Sequence, residues 1–270
     1  MGTQIHSTAV VDKASEIGDG VVVGPNCVID AGVVIGDGTF LDANVAIGAN
    51  VKVGKDNRFY ANCVIGRPPQ LLGLTSDTEY GTLEIGDNNV IREMVTIHPS
   101  MHKGGVTKVG SDNLIMVGVH IGHDCVLEDK IVLSNFCQVS GHCKVEDGVW
   151  LSGMVLMHQF VTLGKWCYAA GLSGINHDVP PFVIISGHYP PEVRGINKRG
   201  LVRAGLSEES QKKVFHAFKR IWKSDEGVFL DRVKALAAED GLDPNVRYMV
   251  DSIVRGNEHR FGRHLELYRD

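Results

Sequence analysis

The chain of 270 residues has no apolar run long enough to cross a membrane and no apolar N-terminal stretch that reads as a secretion signal. It has no excess of positive charge. The formal net charge is −5 and no recognition motif is present, which argues against a nucleic-acid partner. It also lacks the cysteine pattern of a disulfide framework. Its six cysteines, Cys27, Cys63, Cys125, Cys137, Cys143 and Cys167, all fall at one phase of the repeat described next. Disulfides would not be confined to one phase, so cysteine serves here as a small buried hydrophobe. The expectation is a reducing compartment, the cytoplasm, with no structural disulfides.

What the chain has is a period of six. From Ile5, every sixth residue is apolar through Ile65, then again from Ile85 to Ile97, and from Val109 to Ile175. All 26 positions are apolar, where the overall apolar content of 43% would fill about 11 by chance. A fixed short period marks a solenoid, and six residues per unit marks a parallel β-helix. The fifth residue of each hexad is small or β-branched (Val21, Cys27, Val33, Thr39, Val45, Val51) and is expected to point inward. The second is often Gly or Asp, which is expected to mark the turn. Three hexads make a coil of eighteen residues, with coils stacked about 4.8 Å apart. Such hexads resemble those of the hexapeptide-repeat acyltransferases, and that resemblance implies a left-handed helix.

The frame breaks at 67–84, which contains Pro68, Pro69 and Gly73, and again at 99–108. Insertions in solenoids loop out on one side and often border the binding site. The paired prolines Pro180 and Pro181 are expected to end the strands. Beyond them Ser207 reads as an N-cap, and Val214, Phe215, Phe218, Ile221 and Trp222 follow at helical spacing. Further helical segments are expected near 228–240, 244–255 and 258–268. The expectation is an all-β left-handed parallel β-helix over 1–180, followed by a small C-terminal α-helical domain over 181–270 that caps an open end. Charge divides at the same boundary: the first part carries −8 and the second +3. Lys198, Arg199, Arg203, Lys212 and their neighbours suit an acidic partner or a phosphorylated ligand.

Of the 12 histidines, His98, His120, His123, His142 and His158 occupy neither inward position of their hexads, so they belong on the outer wall or the corners. His123 and His142 are one coil plus one residue apart and should be neighbours. A histidine with a pKa near ~6.5 suits general-base work, and Asp124 is the candidate carboxylate to orient it. A second reading is zinc. The trimeric β-helices of γ-class carbonic anhydrases carry three-histidine sites, but no pair here has that family's spacing.

An ordered set of motifs is specific: Ile91-Arg92-Glu93, Thr96-Ile97-His98, Lys108 to Asn113, His120-Ile121-Gly122-His123-Asp124-Cys125, Gly141-His142, Met157-His158-Gln159-Phe160, Asp178 to Pro181 and Gly195-Ile196-Asn197. Together they resemble the UDP-N-acetylglucosamine acyltransferases, which perform the first step of lipid A biosynthesis. The resemblance runs nearly end to end. It implies transfer of a 3-hydroxyacyl chain from acyl carrier protein to the sugar 3-position of a UDP-sugar, with no cofactor and no metal. It implies a homotrimer with sites between neighbours. It assigns His123 as general base, Asp124 as its support and the Gly141 N–H as oxyanion donor. It gives Gln70, His98, His120, His142, His158, Gln159, Asn197, Arg199 and Arg203 to the substrates, and Tyr168 and Gly171 to the acyl groove.

The chain departs from the family's pattern in the first loop. Leu71 and Gly73 stand where an Asp and a Lys contact the sugar. Arg199 stands where Glu is commoner, and Ala204 where a second Arg is common. These changes raise the expectation of a 3-amino acceptor and an amide product. The later N-acyltransferase of the same pathway carries an extra domain before its hexads, and here the frame begins at Ile5.

Overall fold

The computed structural model describes residues 2–75, 77–259 and 261–269. Most hexads form a two-residue strand from a sixth position and the first position that follows it, such as Val22–Val23 and Val28–Ile29. Among the described residues the strands stack, in parallel except for the last, into three sheets of eleven, nine and eight strands, the faces of a triangular β-helix. The first face contains Phe40–Leu41 and Trp150–Leu151, the second contains Thr96–Ile97 and His120–Ile121, and the third contains Val126–Leu127. First- and fifth-position side chains fill the interior. Val21, Cys27, Val33, Leu41, Ile47 and Phe59 are fully buried. All six cysteines are buried free thiols. Burial pushes Cys63 up to about 12 and Cys137 to about 11, so these packed thiols stay protonated.

The turn falls two residues later than the glycines suggest. In most hexads the left-handed residue is the fourth: Asn26, Asn44, Asn62, Asp112, Asp124 and His142 all have φ near 60°. Asn and Asp tolerate this region better than other side chains. The second-position glycines answer a different need. A Cβ at Gly36 would lie 2.6 Å from the Gly54 carbonyl of the next coil, so the close approach of coils selects glycine there.

One strip of the interior is polar. Asn57, Asn89 and Asn113 all occupy fifth positions and are essentially inaccessible. Asn89 Nδ2 donates to Asn57 Oδ1 at 3.0 Å and to the Gly110 carbonyl at 2.9 Å. Asn89 Oδ1 accepts from the Asn113 N–H at 3.0 Å. A buried amide is tolerated because it repeats with the coil and is bonded on each side.

The register measures the two insertions. A plain coil steps 18 residues, as in Phe40 opposite Arg58. Arg58 pairs with Val90 and Val90 with Leu114, steps of 32 and 24, so the loops add 14 and 6 residues. They are shorter than the sequence breaks because Thr82–Ile85 and Val106–Val109 are strands of the third face. Both loops leave the same corner, between the second and third faces, on adjacent coils. They bond to each other through Gly81 N–H to Ser100 O at 2.9 Å and Thr82 N–H to Gly105 O at 2.9 Å.

Pro180 and Pro181 do not end the sheets. Pro181 and Phe182 form a corner, where no ladder N–H is needed, and Val183–Ser186 pairs in parallel with Tyr168–Ala169. Glu192–Ile196 then returns antiparallel. Among the described residues four helices follow: α1 (Lys198–Arg203), α2 (Glu208–Trp222), α3 (Phe229–Ala237) and α4 (Pro244–Asn257). Ser207 caps α2 by accepting from the Ser210 N–H at 3.2 Å. The last expected segment is a 3-10 turn, His264–Tyr268, tied to the β-helix by the His264 to Asp178 hydrogen bond of 2.6 Å.

Replacing Asn89 by Leu keeps the volume but strands the Asn113 N–H and the Gly110 carbonyl inside the coil. The expected loss is about 2–6 kcal/mol of stability, at roughly 1–3 kcal/mol per stranded group, read from the midpoint of urea unfolding.

Candidate active site at a corner of the helix

The strand His120–Ile121 on the second face leads into the corner Gly122-His123-Asp124. Position four of the hexad holds Asp124 at φ 59°, and this turn lays its carboxylate beside the preceding ring. His123 Nδ1–H donates to Asp124 Oδ2 at 2.9 Å. The Asp124 carboxylate also accepts from Ser100 Oγ–H and from the Met101 N–H at 3.1 Å. Its own N–H donates to Thr107 Oγ1 at 2.7 Å. Three of these four partners belong to the second loop and the strand that follows it. Burial alone would raise the Asp124 pKa, but hydrogen bonds from His123, Ser100 and the Met101 N–H together hold it down at about 2. The carboxylate is therefore ionised, His123 carries its hydrogen on Nδ1, and Nε2 is left as the basic atom.

Gly141 lies one coil further along the same corner. A Cβ there would stand 2.6 Å from His123 Cε1 and 2.8 Å from Nε2, so only glycine leaves the ring its place. The Gly141 N–H has no acceptor among the described residues. His142 packs edge-on to His123 with centroids 5.0 Å apart, and its ring stacks flat on Phe160 at 4.6 Å.

His120 lies three residues before His123 on the same coil, and His98 stands one coil away in the opposite sense from Gly141. His98 is 7% exposed. Its Nδ1–H donates to the carbonyls of Arg67 and Pro68, both at 3.0 Å, which ties down the first loop. Its Nε2 is buried without a partner among the described residues and is an acceptor. His120 pairs with Thr96 Oγ1 at 2.9 Å. Burial, helped by His98 and His123, lowers its pKa to about 4, so it is neutral at physiological pH.

The structure brings His98, His120, His123, Asp124, Gly141 and His142 together. His158 lies one coil beyond, exposed, with Nδ1–H donating to the Gln159 carbonyl at 3.0 Å. Gln70 is exposed in the first loop, two residues past the His98 tether, and Gly73 is exposed at φ 78°. Sequence reasoning missed Ser100, Phe160, Leu265 and Tyr268. The last three line a cavity of about 310 Å³ with Asp124, His142 and Lys144. Phe160 is a fourth-position corner residue one coil on from His142, whereas only the C-terminal turn places Leu265 and Tyr268 and only the second loop places Ser100.

The remaining site residues gather elsewhere. Trp150, Trp166, Tyr168, Asn197, Arg199 and Arg203 line a cavity of about 390 Å³ against the first face. Arg203 stacks over Trp150 at 4.6 Å. Gly171 borders it, since a Cβ there would meet the Gly153 carbonyl at 3.4 Å. Asn197 is more committed than its expected role as a ligand contact suggests. Its Nδ2 donates to the Trp166 carbonyl at 2.8 Å and its Oδ1 caps α1 through the Gly200 N–H at 3.0 Å. It holds the helix that presents Arg199 and Arg203.

Comparison with known proteins decides the family. The model of the bacterial transferase hexapeptide matches residues 32–67, and that of UDP-N-acetylglucosamine O-acyltransferase domain 2 matches 178–262. The acyl-[acyl-carrier-protein]–UDP-N-acetylglucosamine O-acyltransferase of Alkalilimnicola ehrlichii is 45% identical over 262 residues, covering 94% of this chain and 98% of the relative. The chain belongs to the UDP-N-acetylglucosamine O-acyltransferase family. The Synechocystis member is 39% identical over 162 residues, 60% of this chain and 58% of the relative, so that alignment spans little more than half of it. The solved enzyme of Bacteroides fragilis superposes with a TM-score of 0.86 at 35% identity, covering 93% of this chain and 97% of that one. That of Francisella novicida gives 0.83 at 36%, covering 93% and 91%. The family name specifies an O-acyl product. Neither the 3-amino acceptor nor the zinc hydratase finds support among these relatives.

The low pKa of His120 has a consequence for stability. Unfolded, His120 takes a proton near pH ~6.5; folded, it does so only near about 4. Between those values the unfolded chain binds more protons, so this contribution is present above pH ~6.5 and is lost as pH falls toward 4. Melting curves across that window should therefore fall less steeply for His120→Gln than for wild type.

Proposed function

We propose that the chain transfers a 3-hydroxyacyl group from the thioester of an acyl carrier protein to the 3-hydroxyl of UDP-N-acetylglucosamine, in the cytoplasm, as the first step of lipid A biosynthesis. The observation that carries the reading is the His123–Asp124 pair, whose Nε2 faces the gap kept open by Gly141. The sugar 3-oxygen attacks the thioester carbonyl carbon while His123 Nε2 takes its proton. The Gly141 N–H donates to the resulting oxyanion, a contact worth about 3 kcal/mol in comparable sites. The tetrahedral intermediate collapses with cleavage of the C–S bond. The proton on Nε2 passes to the departing sulfur, so an ester and a free thiol result and the base is restored. Asp124 balances the imidazolium in between. His98 Nε2, an acceptor without a partner, takes a hydrogen bond from the sugar, and His120 stays neutral beside it. Gln70, His142, His158 and Gln159 border the same region.

The nucleotide half of the acceptor belongs to the first-face cavity, with Arg199 and Arg203 on phosphate and Tyr168 and Gly171 along the acyl chain. The histidine corner and this cavity lie on different faces of one chain. A site that uses both is completed by a neighbouring copy, which supports a homotrimer. The basic start of the helical domain suits the acidic carrier protein, and six free thiols suit a reducing compartment.

His123→Ala should lower kcat by about 10²–10⁴-fold in an assay of carrier-protein-dependent transfer; turnover near wild type overturns the mechanism. Mixing inactive His123→Ala with inactive Arg203→Ala chains, unfolded and refolded together, should restore part of the activity. A mixture that stays inactive rules out a site shared between copies.

A further inference from the structure

The corner that holds the proposed base carries a second constellation. Asp124 and His142 are both fourth residues of their hexads, 18 residues apart, so they stack on successive coils. His142 Nε2 is 3.9 Å from Asp124 Oδ2. His102 joins them from the second loop, its ring centroid 6.0 Å from that of His142. One donor atom from each of the three lies within 4.8 Å of the other two. We propose that His102, Asp124 and His142 form a divalent-metal site, selective for zinc-like ions, that inhibits acyl transfer when filled.

The donor chemistry fits. Two imidazoles and a carboxylate are a common three-ligand set for zinc, leaving one position for water. Each ligand is also supported. The His142 ring is held flat against Phe160 at an interplanar angle of 5°. Asp124 is oriented by Ser100 and by the Met101 N–H. His102 sits on an ordered turn, its N–H donating to Ser100 Oγ at 3.1 Å and its carbonyl accepting from the Gly105 N–H at 2.8 Å. Support of this kind is what tunes metal sites. Bond lengths near 2.0–2.2 Å need the donors closer than they stand. His102 is exposed on a loop, so its side chain can close that gap.

Inhibition follows from the shared oxygen. Asp124 Oδ2 is the atom that accepts the His123 Nδ1–H. A cation bound there withdraws the carboxylate from His123 and sets positive charge beside a ring that must itself become positive. The binding stands on geometry alone; only its effect on turnover rests on the acyl-transfer reading.

The test uses the full-length enzyme stripped with a chelator. Cobalt(II) titrated into wild type should give visible d–d bands saturating at one ion per chain, displaced by zinc. His102→Ala should bind at least about tenfold more weakly. In the transfer assay, zinc should inhibit wild type reversibly. His102→Ala should match wild type in chelator and need about tenfold more zinc for the same inhibition. No stoichiometric cobalt signal, or equal binding by His102→Ala, overturns the site. Stoichiometric binding without inhibition overturns its effect on catalysis.

Discussion

The stacking of eighteen-residue coils is the constraint from which the rest of this protein follows. Parallel pairing repeats the coil at a fixed spacing, so residues at one phase of successive hexads stand over one another. Inside, this stacks aliphatic first positions and small fifth positions, and turns three asparagines into a bonded ladder. At the corners it stacks residues of φ near 60°, and there it sets Asp124 against His142 and Gly141 against His123. A site assembled this way needs no flexible scaffold, because its members are held by the same ladder that holds the fold.

The two loops convert a generic corner into a specific one. They leave adjacent coils at the corner where His98 and His123 lie. The first is tied down by His98 through the carbonyls of Arg67 and Pro68. The second supplies Ser100 and the Met101 N–H, which hold the Asp124 carboxylate ionised despite its burial. The machinery is thus divided between a repeat that fixes positions and two insertions that tune them. The first-face cavity is built differently, from outward aromatic side chains and a short helix capped by Asn197.

Much of this was legible in the sequence because a period of six leaves only inward and outward phases. The core, the fate of every cysteine and the outward placement of the histidines follow from phase alone. His123 and Asp124 were legible as adjacent residues of suitable chemistry, but their contact rests on the positive φ at the fourth position, which the glycines did not announce. What could not be read depends on shape and not on phase. Glycine at second positions looked like a turn signal, but it answers the close approach of the next coil. Pro180 and Pro181 looked like a stop and are a corner. Ser100, Leu265 and Tyr268 lie outside the repeat, so nothing in their spacing announces them.

The proposed chemistry depends on an ionised Asp124 that keeps the hydrogen of His123 on Nδ1 and so leaves Nε2 free as the base. Asp124→Asn tests it most directly, because asparagine preserves size and the bond from Ser100 while removing the charge. The expected result is a fall in kcat on the order of 10³–10⁴-fold, as in a triad whose histidine is left in the wrong tautomer, with little change in KM for the sugar nucleotide. A kcat within about threefold of wild type, a difference of only ~0.7 kcal/mol in the barrier, would contradict it.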